Sequence, residues 1–357
     1  MKSFFLCLIF FLCINYSFAQ QQPDTSVFEP VTETLSNHHF FENHDPLKIS
    51  LKYDISAFIR HKSKGEYLPA ELKIYTSQQD SIHKNIRLKA RGNFRRGHCF
   101  FPPIYLNFKT DPIKKTELEG IRKVKMVTHC STSKVYQSYV MREYLAYKIF
   151  TLLTNNSFRV RLLDITYIDT GKRKRNYEQH GFLIEPVDLI CKRLEAVEVN
   201  SEAVRGNHLL PAESALVALF EYFVGNTDWR FKSGHNMKYI KSLNVVSTHI
   251  IPLPYDYDHA GFVNATYAMP QEWSSVEKIT DREYLGYCMD DEKYSRAAID
   301  LFIAKKEEII KTIETFELLE EKDKRQLLSF VNDFYRLAEQ PDLLMRTVKN
   351  ECRNIDF

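Results

Sequence analysis

The chain has 357 residues, 44% hydrophobic and 27% charged, with 49 Lys and Arg against 46 Asp and Glu for a formal charge of +3. That balance belongs to a chain with a buried core, so disorder as the main state is excluded; 11 Gly and 13 Pro exclude collagen-like or low-complexity architecture. Near-neutrality argues against a dedicated nucleic-acid binder, which carries a strong basic excess.

Lys2, the apolar run Phe4 to Ile14 and the small-x-small Ser17-Phe18-Ala19 read as a signal peptide over residues 1–19. The run falls short of the roughly 20 residues a spanning helix needs. An exported chain without stable membrane insertion is therefore expected: periplasmic, cell-surface or extracellular. Residues 20–45 are polar, carry Pro23, Pro30, His38, His39 and His44, and read as a linker.

From Leu47 the hydrophobic period becomes two. Leu47, Ile49, Leu51, Tyr53 and Ile55 alternate with polar residues, and similar runs recur at 72–74, 86–90, 104–108 and 124–126. An antiparallel sheet is the simplest arrangement. Val135 to Leu153 switches to helical spacing. A hairpin follows, Val160 to Ile168 and Gly181 to Glu185, with Lys172, Arg173, Lys174 and Arg175 at a solvated tip. Residues 46–188 form a β-rich half and 189–357 a mainly helical one. In the second half Pro211 opens a helix that Gly225 stops. A short strand pair then spans 237–240 and 248–253, and two periodic helices cover 294–316 and 325–338.

Removing the leader leaves Cys99, Cys130, Cys191, Cys288 and Cys352, an odd number with no zinc-like spacing. Cys99 with Cys130 is the expected bridge if an oxidising compartment permits one; buried unpaired thiols are the alternative.

The residues suited to chemistry lie in the helical half. Asp228 follows the 211–224 helix, Asn236 opens a strand eight positions later, and Asp256 and Asp258 follow the partner strand. A hairpin sets its outer ends side by side, so Asn236 and Asp256 can face one site. Hard oxygen donors of this kind suit Mg²⁺ or Mn²⁺ held with a nucleotide phosphate. Phosphoryl transfer uses such a set in this chain order: a base, then an Asn, then a metal-binding Asp.

Arg91-Gly92-Asn93, Gly181-Phe182-Leu183-Ile184-Glu185, Asn226-Thr227-Asp228, His235-Asn236 and Pro254-Tyr255-Asp256-Tyr257-Asp258-His259-Ala260-Gly261 together resemble the CotH-type (spore coat protein H) atypical kinases, over roughly residues 85 to 265. The resemblance implies an α+β, bilobed protein-kinase-like fold: an N-terminal antiparallel sheet with one helix, then a mainly helical C-terminal lobe. It also implies ATP with Mg²⁺ or Mn²⁺, and transfer of the γ-phosphoryl group to a Ser/Thr hydroxyl of a protein substrate. Asp228 takes the place of the catalytic base. Asn236 and Asp256 take those of metal ligands, and Asp258 that of a helper or further ligand. Arg91 and Asn93 fall in the nucleotide loop. The family's lysine pair is absent, since Phe101-Pro102-Pro103-Ile104 stands there; Lys109 and Lys125 are the candidate phosphate cations, and Glu143 the partner of Lys125. Glu185 falls where a kinase hinge meets adenine. Two alternatives compete: an inactive kinase-like binding or adhesion module, and a secreted carbohydrate-active protein, for which Asp256 and Asp258 are poor candidates as the acid pair.

Overall fold

The computed structural model describes residues 38–354 other than 78, 110, 114–117, 173 and 244–248. The expected signal peptide, residues 20–37 of the linker, Arg173 at the hairpin tip and the start of the strand read from Thr248 lie outside the described residues.

A short helix, α1 (His38–Glu42), precedes β1 (Leu47–Tyr53). Its Phe40 and Phe41, within the stretch read as linker, are buried with the residues of β1. The alternation of β1 stops at Tyr53 because Asp54 turns the chain. The Asp54 carboxylate accepts the Ala57 N–H at 2.8 Å and caps α2 (Ile55–His61), so Ile55 opens a helix rather than ending the strand. Next come β2 (Leu68–Tyr75), β3 (Ser81–Ala90), a single turn α3 (Phe94–His98), β4 (Ile104–Asn107) and β5 (Lys123–Val127). Helix α4 (Lys134–Leu153) leads to the hairpin β6 (Val160–Asp169) and β7 (Asn176–Ile184).

These seven strands close into a barrel in the order β1-β2-β3-β4-β5-β7-β6. The closing pair is parallel: Leu47 to Tyr53 of β1 run in register with Leu163 to Asp169 of β6. This overturns the expected bilobed kinase-like fold with an open antiparallel N-terminal sheet. The sheet is mixed and has no free edge, and its inward side chains, among them Leu51, Leu88, Ile104, Met126 and Leu163, fill a core of their own.

Beyond the barrel lie α5 (Val187–Arg193), β8 (Ala196–Val199), two 3₁₀ turns, and α6 (Pro211–Val224). Pro211 sits in the first turn of α6, and Gly225 ends it with φ +63° and its N–H on the Glu221 carbonyl, as the sequence predicts. Strands β9 (Met237–Ser242) and β10 (Ile251–Pro254) pair with each other, and β8 joins as a third strand that periodicity did not reveal. The helix expected over 294–316 is two: α7 (Lys293–Ala304) and α8 (Lys306–Glu314) meet at Lys305, whose ψ is near zero. The bend lets Ile299 and Phe302 on one segment and Ile309 and Ile313 on the next all reach the core. Helices α9 (Glu321–Ala338) and α10 (Pro341–Glu351) complete the chain. Among the described residues no helix is long and apolar enough to cross a membrane.

Helix α4 lies between the barrel and the helices and is buried on nearly every side, not along one stripe. Its polar Arg142 and Glu143 are thereby taken out of water and must find partners. Two disulfides staple the molecule: Cys99–Cys130, the expected pair, and Cys288–Cys352, with Cys191 left free. The first closes a separation of 31 residues, worth about 4 kcal/mol by loop-closure entropy. It ties the turn α3 to the end of β5.

Candidate active site

Two loops carry the acidic residues, and backbone hydrogen bonds lace them together. The Gly261 N–H reaches the Gly225 carbonyl at 2.9 Å, the Phe262 N–H reaches that of Val224 at 2.9 Å, and Asn226 bridges to Ala260. On its other side Gly261 packs against a third segment, where a Cβ would lie 2.5 Å from the Ile279 carbonyl oxygen. At the hairpin's outer end the Tyr255 N–H donates to the Asn236 carbonyl at 3.0 Å, which sets Asn236 beside Asp256 as the sequence predicts. Both hold left-handed backbone, with φ of +52° and +71°. Asn and Asp tolerate that conformation better than other side chains, and such strain gathers at functional sites.

One cluster centres on Asp228, whose side chain is 14% exposed. Its Oδ1 accepts from His235 Nε2 at 2.7 Å, and its Oδ2 from Asn236 Nδ2 at 3.0 Å. The same amide nitrogen also donates to the Asp228 carbonyl at 2.7 Å. Asn236 therefore turns its amide to Asp228, not to Asp256. The hydrogen bond to Asp228 raises the His235 pKa against the opposing effect of burial, so the imidazolium is favoured. Beneath, the Asp228 N–H donates to Asn226 Oδ1 at 2.9 Å, and Asn226 Nδ2 donates to Glu221 Oε2 at 2.9 Å.

The second cluster centres on Arg95, 7% exposed. It forks to Glu143 through Nη1 at 2.8 Å and Nη2 at 3.2 Å, reaches Asp256 Oδ1 through Nη2 at 2.7 Å, and meets Asp258 Oδ2 through Nε at 3.1 Å. Asp256 and Asp258 also hydrogen-bond each other. Burial raises both carboxyls. For Asp256, Arg95, Arg91 and the bond from Asp258 overcome that effect and hold it at about 2, whereas Asp258 stays well above the usual range. Asp258 thus keeps the proton and Asp256 the charge. Carboxyls that hydrogen-bond each other do not keep the roughly 5 Å separation of a retaining glycosidase's acid pair. The clusters sense one another: the His235 and His259 rings both feel the charge of Asp256 and of Asp228.

Two more cations stand beside Asp256. Arg91 is buried, its N–H bonded to the Pro103 carbonyl at 2.8 Å, its guanidinium over the Tyr105 ring, and its Nη1 without a partner. The Lys125 ammonium lies 4.4 Å from the Tyr255 ring centroid and makes no ion pair among the described residues; burial and then Arg91 pull its pKa down to about 8.

Other expected residues stand apart. Glu143 pairs with Arg95 and not with Lys125. Lys109 is exposed beyond the Asn107 end of β4, whereas Arg91 lies by the opposite, Ile104 end, so it does not join the cluster. Asn93 precedes α3 without a capping bond. The buried Glu185 carboxylate accepts from Arg193 at 3.0 Å and from the Arg159 N–H at 3.2 Å, a structural engagement. Sequence reasoning missed Arg95, His235 as a partner of Asp228, and Tyr147, whose hydroxyl accepts the Asp256 N–H at 2.8 Å. The one signal for Arg95 was its place four residues after Arg91, just ahead of the 101–104 stretch that lacks the expected lysines. Among the described residues no group of three His, Cys, Asp or Glu side chains has metal-holding geometry.

Glu221 provides a stability probe under the site. Burial raises its pKa from 4.5 to about 8, the bond from Asn226 opposing. An acid raised by folding contributes fully below its unfolded pKa and loses that contribution as pH rises toward the folded value. Unfolding free energy is expected to fall between about pH 5 and 8, by at most about 1.4 kcal/mol per pH unit from this group. Glu221→Gln should flatten that slope in urea titrations, and an unchanged slope refutes the assignment.

No family model matches the sequence, and no curated protein matches it. The likeness to the CotH-type kinases is carried by the quoted motifs alone.

Proposed function

We propose that this chain is an exported phosphotransferase of the CotH type, using ATP with Mg²⁺ or Mn²⁺ to phosphorylate a Ser or Thr hydroxyl of a protein. The reading rests on the site, not on the overall fold. The observation that carries it is a division of charge: the paired carboxyls Asp256 and Asp258 lie beside two cations that make no ion pair among the described residues, buried Arg91 and half-buried Lys125, and Asp228 and Asp256 both act on the His235 and His259 rings.

Hard oxygens beside free cations fit a metal-bound polyphosphate. Asp256 and the Asn236 amide oxygen would hold the cation, Asp258 would join them on giving up its proton, and Arg91 and Lys125 would hold the phosphates. Bound ATP with its cation supplies the phosphoryl group and spreads the charge of the reacting oxygens. Asp228 then has the base's part: held by His235 and Asn236 in one orientation, it accepts the proton of an incoming hydroxyl. Arg95 fixes Glu143 and both metal-site carboxyls in place.

One observation favours a second reading, an inactive binding module: Arg95 already neutralises Asp256 and Asp258 by direct contact. Thermal unfolding of the whole chain with ATP and Mg²⁺ or Mn²⁺ separates the two. A ligand at about 100 times its Kd stabilises by about 2.7 kcal/mol, and Asp256→Asn should abolish the shift. Absence of any shift at saturating nucleotide overturns the proposal. A shift without transfer of labelled γ-phosphate to protein selects the binding module.

A further inference from the structure

Strands β3, β4 and β5 contain no Asp or Glu. Their inward residues, Ile86, Leu88, Ile104, Leu106, Val124 and Met126, fill the barrel. Alternation therefore sends Arg87 and Lys89 of β3, Tyr105 of β4, and Lys123 and Lys125 of β5 to the outer wall. The register sets them shoulder to shoulder, with Lys89 opposite Tyr105 and Tyr105 opposite Lys125. Arg91 extends the row just past β3. None of these five cations makes an ion pair with a carboxylate among the described residues; Asp256 acts on Arg91 and Lys125 at one end of the row, and Arg87, Lys89 and Lys123 stand away from it. Each rests on a tyrosine instead: Arg87 and Lys89 over Tyr67, Arg91 and Lys123 over Tyr105, Lys125 over Tyr255. The buried Nη1 of Arg91 is the unpartnered end of the row, next to the Asp256 cluster.

We propose that this outer wall is a docking track for an acidic polypeptide, laid as an extended chain with its carboxylates on Arg87, Lys89 and Lys123 and one end running toward Arg91 and Lys125. Like-signed charges gathered on one wall, with Asp256 as counter-charge at one end only, call for an anionic partner along the rest. Cations two residues apart on a strand recur at about 6.7 Å, the spacing of alternate side chains in an extended peptide. Single-stranded nucleic acid needs open ring faces for base stacking, whereas each tyrosine here has a cation over its ring. The row ends at the candidate active site, so the docked chain is the acceptor; that last step alone rests on the phosphotransferase reading.

The test is fluorescence anisotropy of a short labelled peptide of alternating Glu and Ser on the whole chain, without nucleotide. Binding is expected, weakening as salt rises. The double substitution Arg87→Glu with Lys123→Glu should weaken it at least about tenfold, Arg87→Gln with Lys123→Gln should weaken it less, and Lys322→Glu on α9 should leave it unchanged. Both substituted wall positions are exposed, and unchanged thermal unfolding of the variants shows that they fold. Absence of binding, or wild-type affinity in the folded Glu variant, overturns the track, as does displacement of the peptide by oligothymidylate at lower concentration than by unlabelled peptide. Neither residue is assigned to the nucleotide, so loss of the ATP-induced shift defeats the enzyme reading without touching this one.

Discussion

Arg95→Ala is expected to destabilise the protein by roughly 3–5 kcal/mol, the cost of removing one partner from a buried ion cluster. The guanidinium meets Glu143, Asp256 and Asp258 at once, and Glu143 is only 2% exposed. Without it, charged or proton-bearing carboxyls are left facing each other with little water to take its place. Arg95→Lys should recover only part of the loss, because a point charge on a flexible stem cannot reproduce a planar fork that spans three acceptors. Urea unfolding of the two variants checks this. A loss below about 1 kcal/mol for the Ala variant shows that the cluster is not the cation-centred lock described here.

Asp228→Asn is expected to lower phosphate transfer by about 10²–10⁴-fold, the usual worth of a positioned base, with the ATP-induced thermal shift retained. Both carboxylate oxygens accept from donors, His235 Nε2 and Asn236 Nδ2. An amide has one acceptor, so either orientation of the new side chain turns an NH₂ toward a donor. The variant loses proton affinity and orientation together. Asp256→Asn differs in kind, since it should remove nucleotide binding itself. Single-turnover transfer and thermal shift, measured on both variants, separate these outcomes. Equal loss of binding in both contradicts the division of roles between the two loops.

Much of the local structure was legible in the residues. Period-two runs marked β1 and β3 to β5, and helical spacing marked α4 and α6 with its Pro start and Gly stop. Hairpin logic put Asn236 next to Asp256, and adjacency to strands suggested Cys99 with Cys130. The partner of Glu143 was misassigned because the choice between Lys125 and Arg95 lies in the direction of α3, a single turn held by that disulfide. Glu143 and Asp256 are 48 and 161 residues from Arg95 along the chain.

The sequence by itself determined most of the barrel strands, the helices α4, α6 and α9, and the order of the acidic residues, because those properties are written in the spacing of neighbouring side chains. Only the tertiary structure decided that the strands close on themselves through a parallel pairing of β1 with β6, and that one arginine collects three distant carboxyls. Closure and charge pairing depend on which surfaces meet once the chain has collapsed, and a buried acid then either meets a cation, as Glu143 meets Arg95, or keeps its proton, as Glu221 does.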